Sequence, residues 1–357
     1  MSTVFIVDTT NTIPVAELSA RIVKINPDKI IIDSETECGV EYIFKNLFDV
    51  VEPWLEKNNK IINVLTPHLD NVHIRSRIIG EMGYANTLSF LGNMIKNRPD
   101  QDPPDNYYLQ NSVAPYFGNL DGKHFNILYT CYNNQPTLHR EILVDVLARD
   151  NLINEGIVTF HYPQHCNWKY HNGSRLFDEP DYALYSAPQY QPNQFPKSFH
   201  KGFFDIVGES QYEHKQISEK TLKSIVMFKP FLVNGCKGFH SEYLFDYMGL
   251  KPYTEMFDYS FDSYESIEDR VEGIVNNIKR LSKLTVPERK QLYKDVIPKL
   301  IYNKSKMVEL LYSKEKIIPK SLQCLMDGNT HHVYGNSYLI RYMQHMGWIK
   351  EKVTWVN

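Results

Sequence analysis

An α/β fold of mainly parallel strands, spread over two domains, is what this sequence predicts, and three observations predict it. Short apolar runs recur along the chain with little alternation: Val4–Val7, Ile30–Ile32, Ile61–Leu65, Phe125–Thr130, Phe203–Val207 and Phe231–Asn234. Such runs suit strands covered on both faces of a parallel sheet. Stretches of helical spacing separate them, which is the strand–helix–strand order of doubly wound folds. Finally, 357 residues exceed one typical domain, and 42% hydrophobic with 23% charged residues supplies sizeable cores.

The first half reads as a small doubly wound domain. Pro14–Ile25 and Tyr42–Leu55 carry the helical spacing between the runs at 4–7, 30–32 and 61–65. Met1–Val7 is apolar, ends at Asp8 and has no basic flank, so it reads as a first strand and not as a signal peptide. From Asn97 to Gly122 the texture changes to Pro, Asn and Asp, the mark of a domain crossing. The domains expected are 1–110, 111–315 and a C-terminal helical segment, 316–357, packing back on them.

The second half is organised around Phe203–Phe239. Phe203–Val207 closed by Gly208 and Phe231–Asn234 closed by Gly235 are strands. Between them Ser218 is a good N-cap, Leu222, Ile225 and Val226 fall at helical spacing, and Lys229-Pro230 stops the helix. In the first turn of that helix Glu219 suits the dipole, whereas the cation Lys220 opposes it. An anionic ligand on the free N–H groups would remove the conflict; an isolated lysine there would simply face solvent. The geometry repeats upstream, where Phe125–Thr130 leads through a polar loop to a helix over Leu138–Ala148 with His139 and Arg140 in its first turn. Two such turns side by side would clamp a diphosphate, Arg140 making the bidentate contact.

Other signals are weaker in kind. Asp100-Gln101-Asp102 has the D-x-D spelling of a metal site but follows no buried strand. His161, His165 and His171 lack ligand spacing and read as loop residues. Five scattered cysteines without a C-x-x-C pair support neither a disulfide framework nor a zinc site and fit a reducing cytoplasm. No apolar run approaches the roughly 20 residues of a membrane helix. A net charge of -3 argues against a protein that grips nucleic acid by a general basic surface.

The order Glu209, Ser218-Glu219-Lys220, Pro230-Phe231, Gly235 resembles the donor-binding segment of the α-1,3-fucosyltransferases and related bacterial and phage glycosyltransferases. Upstream, Asn133, Arg140, Leu147 and Gly156 stand in the places of the same family's preceding motif, and Phe261–Glu265 resembles its acidic-aromatic stretch. The resemblance covers about residues 125 to 285. It implies the GT-B fold class, two facing Rossmann-like domains, with the C-terminal one holding a nucleotide sugar. It also implies that Lys220 grips the donor diphosphate and Glu219 the ribose, with Asn133, Arg140, Glu209, Ser218 and Gly235 in the same donor site. At Gln216 these enzymes carry an aromatic residue, so the donor is not carried over as GDP-fucose.

The expected function is transfer of a sugar from a nucleoside diphosphate to an acceptor hydroxyl, on a glycan or on a hydroxymethylated DNA base. No metal or other cofactor is required in this scheme, because Lys220 and Arg140 stabilise the leaving diphosphate. An inverting transfer needs a general base, and the strand-end carboxylates Asp8, Asp33 and Asp70 are candidates, with His68 as an alternative. Each is equally an ordinary strand-end cap. The competing reading is a non-catalytic nucleotide- or sugar-binding protein.

Overall fold

The computed structural model describes residues 4–8, 14–33, 40–66, 73–75, 77–82, 125–133, 137–160, 201–209, 212–312, 331–334, 343–344, 347–349 and 354–356. Asp70, His68, the 97–122 segment with Asp100 and Asp102, and the 161–194 segment with its histidines lie outside them. The chain divides into two compact units, residues 1–89 with 310–357, and residues 90–309. Both are α/β, the first built on a mainly parallel sheet and the second on a parallel one.

In the first unit β1 (Val4–Asp8), β2 (Lys29–Asp33), β3 (Ile62–Thr66), β4 (His73–Arg75), β5 (Ile78–Met82), β10 (His331–Tyr334) and β11 (Thr354–Val356) form one sheet in the order β11-β10-β1-β2-β3-β5-β4. Pairing is parallel except between β4 and β5. Helices α1 (Val15–Ile25) and α2 (Val40–Lys57) supply the connections. Leu18 and Ile22 of α1 and Leu47, Phe48, Val51 and Leu55 of α2 share a core with Phe5, Ile30, Ile32, Ile62 and Val64, the period-3.6 stripes meeting the period-2 strand faces. Burying each such side chain contributes roughly 1.5–3 kcal/mol. Asp8 and Asp33 are register partners at the carboxyl ends of β1 and β2.

The C-terminal segment corrects the sequence reading. Residues expected in a helical segment, His331–Tyr334 and Thr354–Val356, are strands, with Val4 paired to His331 and His332 to Thr354. Val333, Tyr334, Thr354, Trp355 and Val356 are β-branched or aromatic and favour a pleated surface. The partner of β10 is β1, at the opposite end of the chain, and β11 pairs only with β10, so local spacing does not disclose them.

The second unit holds β6 (Ile127–Asn133), β7 (Gly156–Phe160), β8 (Gly202–Gly208) and β9 (Phe231–Asn234), all parallel, in the order β7-β6-β8-β9. Every residue of β8 and β9 is buried, as a sheet covered on both faces requires. Helix α3 (Leu138–Arg149) follows β6, and α4 (Glu219–Val226) follows β8. Leu222, Ile225 and Val226 of α4 are buried, and the helix stops with Phe228 in the left-handed region (φ 52°) ahead of Lys229-Pro230. A nine-residue π-helix (Phe239–Tyr247) follows β9, with i→i+5 bonds from Tyr243 N–H to Gly238 O and from Met248 N–H to Tyr243 O. Helices α5 (Ile267–Ser282) and α6 (Val286–Tyr312) complete the described part, α5 packing on α3. Among the described residues no helix is long and apolar enough to cross a membrane.

Candidate functional site

The order β7-β6-β8-β9 makes the chain leave β6 toward one side of the sheet and return on the other, so the order reverses between β6 and β8. In open parallel sheets ligands bind outside the carboxyl ends at such a reversal. Here those ends are Asn133, Gly208-Glu209 and Asn234-Gly235, and the first turns of α3, α4 and the π-helix follow them.

Glu209 is the hub. Its carboxylate is 1% exposed; Oε1 accepts from Ser218 N–H at 3.1 Å and from the Thr221 hydroxyl at 2.5 Å, which ties the loop after β8 to the first turn of α4. Its main-chain oxygen accepts from Arg140 Nη2 and from His139 Nε2, each at 2.9 Å, which ties the same loop to α3. Oε2 is buried and has no hydrogen-bond partner among the described residues. Burial pushes the Glu209 carboxyl up, against the lowering effect of Lys220 and of the bonds from Ser218 and Thr221.

Arg140 is 3% exposed and also donates from Nη2 to Gly208 O at 2.8 Å. The guanidinium expected to reach outward for a diphosphate thus holds two carbonyls of the β8 end. Gly208 makes room for it: a Cβ there would stand 2.6 Å from Asn133 Oδ1 and 3.0 Å from Arg140 Cγ and Nε. His139, 1% exposed, has its ring stacked on Tyr212 at 5.5 Å. Because Nε2 faces a carbonyl it carries the proton, and Nδ1 accepts from the Thr137 hydroxyl at 3.1 Å. Burial, then the Arg140 charge, pushes its pKa down to about 3, so the ring is neutral.

Lys220 is partly buried in the first turn of α4 and close enough to act electrostatically on both Glu209 and His139. Ser218 is the N-cap, its hydroxyl accepting from Lys220 N–H at 3.2 Å. Glu219 is the first residue of α4. Asn133, fully buried, donates from Nδ2 to Cys131 Sγ and from its main chain to the Thr159 hydroxyl, both at 3.2 Å. Gly235 O accepts from Arg270 Nε at 3.3 Å, and Arg270 also bonds the Tyr212 hydroxyl and the carbonyls of Tyr264 and Glu265. The structure thus brings Asn133, Arg140, Glu209, Ser218, Lys220 and Gly235 to one edge of one sheet.

Sequence reasoning missed several participants. Asn234 Nδ2 donates to His139 O at 2.7 Å, joining β9 to α3. Asp262, 2% exposed, accepts from the N–H groups of His240 and Ser241 and from the Ser241 hydroxyl at 2.7–3.0 Å, closing the start of the π-helix. Although Asp262, His240 and Ser241 are the residue types of a hydrolytic triad, His240 Nε2 accepts from Val233 N–H at 3.0 Å and Nδ1 faces Asp262, so no base is left for the serine. Beneath the edge, Asp205 accepts from Thr130 Oγ1 at 2.8 Å and Ser224 Oγ at 2.6 Å, while Lys229 Nζ donates to Thr130 Oγ1. A polar residue inside an apolar strand, Asp205 or Thr130, was the available signal for that network.

A surface concavity of about 790 Å3 runs along α5, lined by Asp258, Glu265, Asp269 and Glu272 among others. Its carboxylates would repel a diphosphate. Among the described residues no group of His, Cys, Asp and Glu is placed to hold a metal ion. No protein-family model, curated protein or solved structure matches the chain.

Proposed function

We propose that the carboxyl edge of the second sheet binds the nucleoside diphosphate of a sugar donor, and that the protein is a glycosyltransferase of GT-B type passing that sugar to an acceptor hydroxyl. One observation carries this reading: six residues from two motifs, spread over about 100 positions of sequence, meet where β6 and β8 reverse the strand order. Lys220, partly buried at a helix start, is the group that meets the diphosphate and stabilises charge on it as the glycosidic bond breaks. Arg140 acts behind it, fixing the Gly208 and Glu209 carbonyls and lending its buried charge to the site. Glu219, at the first position of α4, takes the ribose in this reading.

The first unit would receive the acceptor. Asp8 and Asp33, side by side in register at the carboxyl ends of β1 and β2, are the general-base candidates, with Asp70 beyond the described residues as a third. The net charge of -3 favours a glycan acceptor over duplex DNA carrying a modified base. Lys220 and Arg140 supply the positive charge, so transfer should persist in EDTA.

The test is thermal stabilisation by a panel of nucleotide sugars and nucleoside diphosphates, followed by hydrolysis and transfer assays with the best donor. A ligand at 100 times its dissociation constant stabilises by about 2.7 kcal/mol, which such a scan detects. Stabilisation without turnover on any acceptor would favour a non-catalytic nucleotide- or sugar-binding protein. No stabilisation by any member would overturn the assignment.

A further inference from the structure

We infer that Glu209 meets the donor diphosphate as a neutral carboxylic acid, its Oε2 carrying the proton and donating it in a hydrogen bond to a phosphate oxygen. This rests on the donor reading above and adds a contact and a proton to it. Three observations carry it. Oε1 accepts two hydrogen bonds, from Ser218 N–H and the Thr221 hydroxyl, so the acid form places its proton on Oε2. Oε2 is buried and has no partner among the described residues, and it belongs to a carboxyl fixed at the first turn of α4, where the N–H groups and dipole favour an anion. The alternative, an ionised carboxylate beside a diphosphate in a site excluded from water, sets like charges against each other.

The groups facing Glu209 define its titration. Lys220 of α4 favours the ionised form, as do the hydrogen bonds from Ser218 and Thr221, and a charged Glu209 in turn raises the Tyr243 phenol of the π-helix. Arg140 and His139 of α3 engage its main-chain oxygen, and the ring of His139 is neutral. Burial works against all of the stabilising partners and holds the carboxyl above its ordinary range. An incoming diphosphate adds negative charge beside Lys220 and shifts Glu209 further toward the acid, so at any pH where the free carboxyl is ionised the complex takes up a proton from solvent.

The experiment is titration calorimetry of the full chain with inorganic pyrophosphate, GDP, UDP and ADP, at several pH values from 6 to 9 and in two buffers of different ionisation heat. For wild type, affinity should fall as pH rises, and the apparent heat should differ between buffers by the equivalent of a proton taken up. Glu209→Gln keeps a donor at that position and should bind within about threefold of wild type at pH 6 while losing the excess proton uptake. Glu209→Ala should weaken binding at least tenfold. The phosphate's own titration appears in wild type and Glu209→Gln alike and cancels in the comparison. Binding of the wild type with equal heats in both buffers, no pH dependence and no infrared band of a buried carboxylic acid in the complex overturns the inference and leaves the donor reading intact, even if neither variant folds; the same heats with that band present support it, the free carboxyl then being the acid already. Affinity rising with pH overturns it as well, in favour of an ionised acceptor for a ligand hydroxyl. Failure of every probe to bind at any pH overturns both.

Discussion

Arg140 and Glu209 are joined through a main-chain oxygen, Nη2 of the guanidinium lying 2.9 Å from the Glu209 carbonyl. The same nitrogen holds Gly208 O, so a cation in a helix first turn, where the dipole disfavours it, is stabilised by two carbonyls of the neighbouring strand end. Its removal leaves those carbonyls buried. Arg140→Ala should destabilise the protein by about 2–4 kcal/mol in urea unfolding, and Arg140→Lys, with one compact ammonium, should recover only part of that. A change under about 0.5 kcal/mol for the alanine variant would contradict the contact.

Lys220 should behave in the opposite way. Lys220→Ala is expected to destabilise the fold less than Arg140→Ala, yet weaken nucleoside diphosphate binding by roughly ten- to a hundredfold, the worth of one charge-assisted contact. If Arg140 acts by placing the loop that carries Glu209 and leads to Lys220, Lys220→Ala combined with Arg140→Lys will be non-additive in nucleotide affinity. Strict additivity would mean that the two cations act independently.

Acid stability provides a test of the neutral His139. Its folded pKa, about 3, lies below the unfolded value of 6.5, because burial and the Arg140 charge disfavour the imidazolium. Between those values the unfolded chain binds the extra proton, so the contribution is fully present above pH 6.5 and is lost as pH falls toward 3. The slope approaches about 1.4 kcal/mol per pH unit within that window. Thermal unfolding of wild type and His139→Gln from pH 7 to pH 4 should show a shallower acid decline in the variant; parallel curves would contradict a buried neutral ring.

Gly208 is held to glycine by space alone. The Cβ of Gly208→Ala would press on Asn133 Oδ1 at 2.6 Å and on the Arg140 side chain at 3.0 Å. The variant should lose about 1–3 kcal/mol and bind nucleotide more weakly, because both neighbours line the same edge. Wild-type stability would show that Arg140 can move aside.

The second unit was readable because its signals are local. Apolar runs gave β6, β8 and β9, Ser218 announced the start of α4, and Lys229-Pro230 announced its end. What escaped was non-local. The burial of Arg140 depends on two carbonyls some 70 positions away, and a charged residue in a helix first turn carries no mark of facing inward. Gly208, read as the end of a strand, was in fact the trace of that contact. Asp262 was visible as part of an acidic-aromatic stretch, but its partners His240 and Ser241 are fixed only once the π-helix forms. For the same reason the local pattern reads as helical at β10, whose partner β1 lies across the chain, and at β11, which pairs only with β10.

The pairing of Val4 with His331 also bears on how the protein is made. During synthesis the strand at 4–8 leaves the ribosome early, whereas its neighbour at 331–334 follows only after all of residues 90–309 have emerged. Every partner strand of the second sheet is available by Asn234, so that unit can close while the first still presents one side of β1 unpaired. An unpaired strand edge is a template for other chains. Premature termination between 309 and 331 should therefore release a species that folds its second unit and aggregates through the first.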